Sequence, residues 1–243
     1  RKKMRVVIVG EFSSFAKNLS KGLRDIGHEC FVFSWGDGFK NIKQEEQYSY
    51  QISSAYFKKE DGLFRVFVVL VRNFVKFLKL RNYVREMSKK EKWDSVLVVN
   101  PGFIQAPYHF WQPLFTESMI KSLVRNKNNI YLSACGGDFP YFEYWSHHRW
   151  KNADIINEHK AKFLSKLSIR HFENCTRYIK KVIPVMYGYA EAWRKSNYTG
   201  GITVIKTIPL PVECSEYVVN NIVGRKVVVF HGLIRPIDKG SSY

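Results

Sequence analysis

The sequence predicts an α/β protein in which helices cover both faces of an open parallel sheet. Short β-branched strands alternate with amphipathic helical segments along the chain, and this alternation is typical of parallel sheets. Glycine-bearing turns follow most of the predicted strands. Ligands of such sheets bind outside the carboxyl ends of the strands, so the loops there are the candidate functional sites.

The first forty residues predict a βαβ unit. Residues Arg5–Val9 form a β-branched run typical of a buried strand, residues 13–27 carry apolar side chains at helical spacing, and residues 30–34 are apolar again. Two parallel strands joined by one helix make a right-handed crossover. The chain therefore opens with the repeating unit of a doubly wound sheet.

The same alternation continues through the rest of the chain. Further strands are predicted at residues 95–100, 129–134, 177–185, 202–208 and 226–231. Further helices are predicted at residues 112–125, 188–196 and 214–221.

Residues 62–92 predict a long basic amphipathic helix. Four cations recur at spacings of seven, four and three residues, which places them on one stripe: Arg65, Arg72, Lys76 and Lys79. Apolar residues fill the rest of the helix circumference. Such a helix can lie on anionic lipid, or it can cover the sheet and leave a solvated basic face. The pattern is compatible with both.

The composition indicates a folded and strongly basic protein. Of 243 residues, 45% are hydrophobic and 16% aromatic, which is enough for a core and excludes a disordered chain. Lysine and arginine number 39 against 21 aspartate and glutamate, so the formal charge is +18. Such an excess attracts an anionic partner, for which nucleic acid, acidic phospholipid and sugar-nucleotide phosphates all qualify.

We expect a cytosolic protein without a metal centre. The apolar run before Gly10 is too short for a signal peptide, and the longest one, residues 66–71, is far below the roughly 20 residues of a transmembrane helix. The adjacent pair His147 and His148 lacks a third ligand. Four cysteines have no zinc-type spacing and are interpreted as reduced thiols: Cys30, Cys135, Cys175 and Cys214.

The loops after the strands hold the candidate site residues, each with a structural alternative. Gly10 is not part of a dinucleotide fingerprint, because Ser13 and Ser14 stand where further glycines are needed. Either serine suits a helix N-cap, and that helix end can also attract a phosphate or a sugar hydroxyl. Asp138 can orient a reacting group or cap a helix. Asp37 and Lys40 similarly contact a ligand or stabilise a turn.

Four stretches together resemble a known family. The opening strand with Gly10 is followed by Gly-His-Glu at residues 27–29, and residues 36–40 read Gly-Asp-Gly-Phe-Lys. Residues 132–138 read Leu-Ser-Ala-Cys-Gly-Gly-Asp, and the run 226–232 precedes Arg235 and a Lys-Gly pair at 239–240. These stretches resemble the two-domain GT-B glycosyltransferases, in particular the retaining branch that builds lipopolysaccharide, capsule and O-antigen sugars. One departure is Cys135, which stands where the family usually has His or Trp.

The resemblance implies a Rossmann-like doubly wound sheet that is the N-terminal half of a GT-B fold. Residues 1–224 would be the acceptor-binding domain, and residues 225–243 the first strand and loop of a truncated donor-binding domain. The activity would be transfer of a sugar from a nucleotide-sugar donor to a glycan or lipid-linked acceptor in bacterial surface-polysaccharide synthesis, without a metal or other cofactor. The 243 residues alone would be inactive, since the donor site is incomplete.

The resemblance also assigns roles to individual residues. Asp138 would be catalytic, and the donor phosphates would be bound by Gly232, Arg235 and Lys239. The acceptor would be bound by Gly10, Phe12, Ser13, Ser14, Asp37 and Lys40.

The implied acceptor places the protein in the cytoplasm, peripheral to the inner face of the membrane, with the basic stripe on anionic lipid. Two other functions stay open. A basic nucleic-acid-binding protein is disfavoured because its cations are dispersed and no RNA-recognition motif is present. The other is a non-catalytic small-molecule-binding domain.

Overall fold

A computed structural model describes residues 2–37, 40–53, 62–99, 112–124, 129–136, 138–145, 147, 166–197 and 199–212. These residues form a seven-stranded sheet in which every neighbouring pair of strands is parallel. The predicted strand 226–231, the predicted helix 214–221 and the domain boundary at residue 224 lie outside the described residues.

The strands and helices alternate in chain order. The strands are β1 Arg5–Val9, β2 Glu29–Ser34, β3 Ser49–Gln51, β4 Ser95–Val99, β5 Asn129–Ala134, β6 Ile179–Pro184 and β7 Thr203–Val204. The helices are α1 Phe15–Asp25, α2 Leu63–Lys90, α3 Gln112–Val124, α4 Phe139–Trp145, α5 Lys166–Thr176 and α6 Tyr187–Lys195. A short 3₁₀ turn, Glu46–Tyr48, precedes β3.

The strand order is β3-β2-β1-β4-β5-β6-β7, which is the doubly wound order of Rossmann-like sheets with one further strand at the end. After β1, the chain adds β2 and β3 on one side of β1 and then adds β4 on its other side. The switch point of the topology therefore lies between β1 and β4. The predicted α/β fold class with a doubly wound parallel sheet is confirmed.

The core is divided between the two faces of the sheet. On one face α1 packs its Phe15 against Ile8 and Val32 of the central strands. On the other face α2, α3 and α5 cover β1, β4 and β5, with Phe77 of α2 and Ile120 of α3 fully enclosed in one apolar cluster. Alternate residues of each strand point to opposite faces, so β-branched runs such as β1 and β4 bury every second side chain on each side.

The carboxyl ends of the described strands meet at one edge of the sheet, as the sequence predicted. Strands β1, β2, β4 and β5 are parallel and in register, with Val9 beside Phe33 and Val98, and Val99 beside Ser133. The loops after β1, β2 and β5 consequently share one edge. The loop after β4 falls outside the described residues.

Several elements differ from the prediction. The strand predicted at residues 202–208 is only two residues long, although the Ile205 and Ile208 amides still donate to the carbonyls of Val182 (3.0 Å) and Pro184 (2.9 Å). Strand β3 and helices α4 and α5 were not predicted. Strand β3 has three residues and α4 seven, so neither is long enough to show a hydrophobic period.

Helix α2 begins near the carboxyl edge of the sheet and packs against α3 further along. Its second half packs beside α3, whereas the Lys76 ammonium group bonds to the Oγ of Ser53 (3.1 Å), just past the end of β3. Residue 76 therefore lies level with the carboxyl edge. Residues 63–75 precede that point, and Val69 and Asn73 among them are buried, whereas most of the apolar side chains there are exposed.

Gly10 fixes the close approach of β1 and β4 at the switch point. Its backbone φ is +101°, and a Cβ added there would lie 2.6 Å from the Val99 carbonyl oxygen. A side chain is excluded both by the backbone conformation and by the contact.

We expect Gly10→Ala to lower the free energy of unfolding by about 1–3 kcal/mol, the usual cost of a strained backbone position. Gly22→Ala in α1 is the matched control, because nothing lies within 4 Å of the added Cβ. That control should stabilise the helix by roughly 0.5–1 kcal/mol. Urea unfolding of both variants gives the comparison, and equal stabilities would contradict the close contact.

Candidate functional site at the carboxyl edge

The loops after β1 and β2 have an unusual backbone. Ser13 (φ 49°), Ser14 (φ 67°) and Asp37 (φ 56°) all adopt the left-handed conformation although none is glycine. Left-handed residues of this kind cost free energy, and they concentrate at functional sites where the surrounding structure holds them. The two loops adjoin each other, so the conformations occur in one place.

Hydrogen bonds join the two loops into one polar cluster. The Ser13 amide donates to Asp37 Oδ2 (2.8 Å), and the Lys40 ammonium group donates to the same oxygen (2.7 Å) and to Ser13 Oγ (2.8 Å). The Lys40 nitrogen also lies 5.3 Å from the centre of the Phe12 ring. A carboxylate, an ammonium group, a hydroxyl and an aromatic ring therefore converge beside the switch point. We call this group of four residues the edge cluster.

The N-terminus of α1 is capped by a residue that the sequence analysis did not single out. Ser14 occupies the N-cap position but makes no capping hydrogen bond through its side chain. Instead the Glu11 carboxylate accepts from the Ala16 amide (3.2 Å) and the Lys17 amide (3.0 Å). Ser14 is thus the N-cap residue, as the sequence allowed, but its side chain does not cap the helix, because Glu11 turns back onto the first turn and takes the free amides.

Glu11 also excludes the phosphate predicted at this helix end. Its side chain is 1% exposed and accepts a further hydrogen bond from Gln44 Nε2 (2.6 Å). Burial raises the pKa of Glu11, while the hydrogen bonds from Lys17, Ala16 and Gln44 oppose that rise. A protein carboxylate thus occupies the place where an anion would bind. Uncharged hydroxyl ligands remain compatible with the edge cluster.

Asp138 caps a helix, which is one of the two roles that the sequence allowed for it. It precedes α4, and its Oδ1 accepts from the Tyr141 amide (2.8 Å). Its Oδ2 accepts from the indole Nε1–H of Trp193 in α6 (2.7 Å). Asp138 is fully buried, so both oxygens serve to join α4 to α6. Its catalytic role stays a prediction.

The buried position changes the acidity of Asp138. Burial raises its pKa from 3.8 to about 7, and the hydrogen bonds from Tyr141 and Trp193 lower it in part. The rings of Phe172 and Trp193, with centres 5.7 Å apart, form part of the surrounding apolar wall. An ionised carboxylate is therefore costly here.

The structure brings some of the predicted site residues together and leaves others apart. Gly10, Phe12, Ser13, Asp37 and Lys40 meet at the carboxyl edge of β1 and β2. Ser14 makes its contribution through the backbone, since its carbonyl accepts from the Asn18 amide in α1.

The predicted donor-phosphate residues Gly232, Arg235 and Lys239 lie outside the described residues. In the described part of the chain, no three His, Cys, Asp or Glu side chains are placed to hold a metal ion. Cys30, Cys135 and Cys175 are buried free thiols.

Three residues that position this edge of the sheet were not predicted from the sequence: Glu11, Gln44 and Trp193. Glu11 directly follows the glycine after a buried strand, and that position was the available signal. Gln44 lies 33 residues from Glu11, and Trp193 lies 55 residues from Asp138. No local pattern reveals pairs at such separations.

The Rossmann-like class of the chain rests on its own strand order, and comparison with known proteins assigns no family to it. No protein-family model matches it, and no curated protein matches it. Three solved structures share its general architecture. One is Phytolacca americana UGT2 with UDP-2-fluoro-glucose and pterostilbene (TM-score 0.44, 6% identity, 88% of this chain and 56% of that one).

The second is Arabidopsis thaliana UGT89C1 with UDP-L-rhamnose (TM-score 0.47, 7% identity, 88% and 51% coverage). The third is a Polygonum tinctorium UDP-glucosyltransferase capable of glucosylating indoxyl, in complex with 3,4-dichloroaniline (TM-score 0.41, 10% identity, 86% and 53% coverage). The chain spans about half the length of each structure.

We expect the contribution of Asp138 to the free energy of unfolding to fall as the pH rises from about 4 to about 7. The folded state retains the proton up to a pKa near 7, whereas the unfolded chain releases it near 3.8, so folding is favoured at the acidic end of this window. Asp138→Asn cannot ionise and serves as the reference. Urea unfolding at a series of pH values should show parent stability falling relative to Asp138→Asn, with no further change above the window. A constant difference would contradict the raised pKa.

Proposed function

We propose that the chain is the acceptor-binding, N-terminal half of a glycosyltransferase that transfers a sugar from a nucleotide-sugar donor. The acceptor is a glycan or a lipid-linked glycan of bacterial surface-polysaccharide synthesis. The observation that carries the proposal is the edge cluster beside the switch point, where sheets of this topology bind their ligands. The motif resemblance, which includes Asp37 and Lys40, supports the choice of reaction.

The chemistry of the edge cluster suits a sugar. Asp37 accepts hydrogen bonds, Lys40 donates them, and the Ser13 hydroxyl does both, which matches the paired donors and acceptors of vicinal hydroxyls. Lys40 is one-third exposed and Asp37 about one-fifth, so a ligand can reach both. The Phe12 ring adds an apolar surface beside the polar groups.

The remaining steps of the proposed reaction need charge on the donor side. Negative charge develops on the departing diphosphate, and fixed cations that face it lower the barrier. In the proposal, Arg235 and Lys239 supply these cations and Gly232 permits close approach of the backbone. In this scheme Asp138 holds α4 and α6 together through its hydrogen bonds to Tyr141 and Trp193.

The proposal includes attachment to an anionic membrane through α2. The first half of this helix exposes one face of large apolar side chains. They are Leu63, Phe64, Phe67, Val68, Val71, Phe74 and Val75, with exposures from 37% to 90%. Exposed apolar patches of this kind mark interaction surfaces.

The cations beside the patch give it a preference for anionic lipid. Arg65, Arg72 and Lys79 are exposed, as the sequence predicted. Lys76 is partly buried and bonds to Ser53, so it contributes less to a surface charge. Among the described residues, no helix has the length and apolarity to cross a bilayer. Attachment would therefore be through the helix face.

We expect Asp37→Asn and Lys40→Met each to lower kcat/KM for sugar transfer by roughly 10- to 100-fold, since each removes a hydrogen bond to a charged group. The assay measures transfer of labelled sugar from a panel of nucleotide sugars to membrane extract, using the complete protein. Lys43→Gln is the control, because Lys43 is exposed and outside the edge cluster. No transfer by the parent, or full activity in both variants, would contradict the proposal.

We expect the triple variant Arg65→Gln, Arg72→Gln, Lys79→Gln to weaken binding to anionic vesicles by about 1 kcal/mol for each charge removed. Binding to neutral vesicles should change little. Sedimentation with vesicles of the two compositions gives the measurement.

The matched control for the membrane experiment removes the same charge elsewhere. Lys43, Arg170 and Lys206 are exposed on other elements, and their replacement by Gln should leave vesicle binding nearly unchanged. If both triple variants lose the same affinity, net charge rather than α2 determines the binding. If the α2 variant binds as the parent does, its basic residues are only a solvated face.

A further inference from the structure

A groove between the second half of α2 and α3 lies away from the carboxyl edge. Its volume is about 470 Å³, and six side chains line it: Arg85, Ser88, Lys89, Ser118, Lys121 and Ser122. Three are cations and three carry hydroxyl groups. In the described structure no acidic residue is part of the lining.

The positive charge of this groove is only partly neutralised by acidic side chains of the described residues. Arg85 and Lys89 are one turn apart on α2, where like charges repel each other, and neither forms a salt bridge with a described residue. Lys121 approaches from α3 and is paired with Glu117 (2.8 Å) on its own helix. Cations are favourable in the last turn of a helix, which accounts for Lys89. Arg85 lies more than one turn before the end of α2, so the helix dipole does not account for it.

The hydroxyl groups add neutral donors to this charge. Ser122 donates to the carbonyl of Ser118 (2.9 Å) within α3, so its oxygen keeps lone pairs but offers no proton to a ligand. The Ser118 hydroxyl forms no such bond with a described residue and is half-buried at the groove. An arginine fork, two ammonium groups and a serine donor form a set that matches the oxygens of a phosphate group.

We propose that the groove between α2 and α3 binds a phosphate group, either of a soluble phosphorylated compound or of an anionic lipid headgroup. The site is separate from the edge cluster, because it is lined by the second half of α2, whereas the edge cluster lies at the opposite end of the strands. The proposal does not depend on the glycosyltransferase activity. It requires the cations and the open shape of the groove together.

Two variants separate charge from shape. The double variant Arg85→Gln, Lys89→Gln removes two cations, and Ser118→Leu fills the groove while the charge stays constant. The matched control, Lys43→Gln with Arg170→Gln, removes one lysine and one arginine from exposed positions on other elements. Thermal unfolding of each variant checks that it is folded.

Two probes distinguish the source of the phosphate. Inorganic phosphate is titrated by calorimetry, and phosphatidylcholine vesicles are sedimented with and without phosphatidic acid. We expect both groove variants to bind the effective probe at least about tenfold more weakly than the parent, and the control to stay within about twofold.

If the groove variants lose affinity for inorganic phosphate alone, the ligand is a soluble phosphorylated compound. If they lose affinity for phosphatidic acid vesicles, the ligand is a lipid headgroup. If neither probe binds the parent saturably, the proposal is overturned. The proposal is also overturned if the control loses as much affinity as the double variant, or if Ser118→Leu binds the probe as tightly as the parent does.

Discussion

The arrangement of the described sheet depends on the position of β1, which is hydrogen-bonded on one side to β2 and on the other to β4. Because all these pairs are parallel, their carboxyl ends meet at one edge, and connecting helices must cover both faces. The switch between the two directions of winding occurs beside β1. Gly10 lies at that point against the Val99 carbonyl, so the backbone of the first loop can turn directly into the edge cluster.

Two buried carboxylates hold this edge together without facing solvent. Glu11 caps α1 and joins it to Gln44, and Asp138 caps α4 and joins it to Trp193 of α6. Burial raises both pKa values, and the hydrogen bonds oppose the rise. Among the described polar groups of the edge cluster, Asp37, Lys40 and Ser13 are accessible. The edge therefore separates acids that position helices from polar groups that can contact a ligand.

Helix α2 serves two different environments along its length. Its second half covers the sheet, with Phe77, Leu80 and Val84 in the core. In its first half Val69 and Asn73 are buried, but apolar residues such as Phe64 and Phe67 are exposed. The helix therefore combines a buried apolar flank with an exposed flank that is apolar and basic.

The sequence by itself determined the alternation of strands and helices, the edge where loops meet and the basic helix, because each is encoded in local hydrophobic periodicity. It also identified Asp37, Lys40 and Ser13, which lie in the loops that follow two strand ends. The tertiary structure decided which residues cap the helices and which polar groups stay accessible. Glu11 replaces the serines because its longer side chain reaches the free amides, and Asp138 is enclosed because Trp193, distant in sequence, covers it. Burial and partner choice arise from contacts between elements, and periodicity within one element contains no information about them.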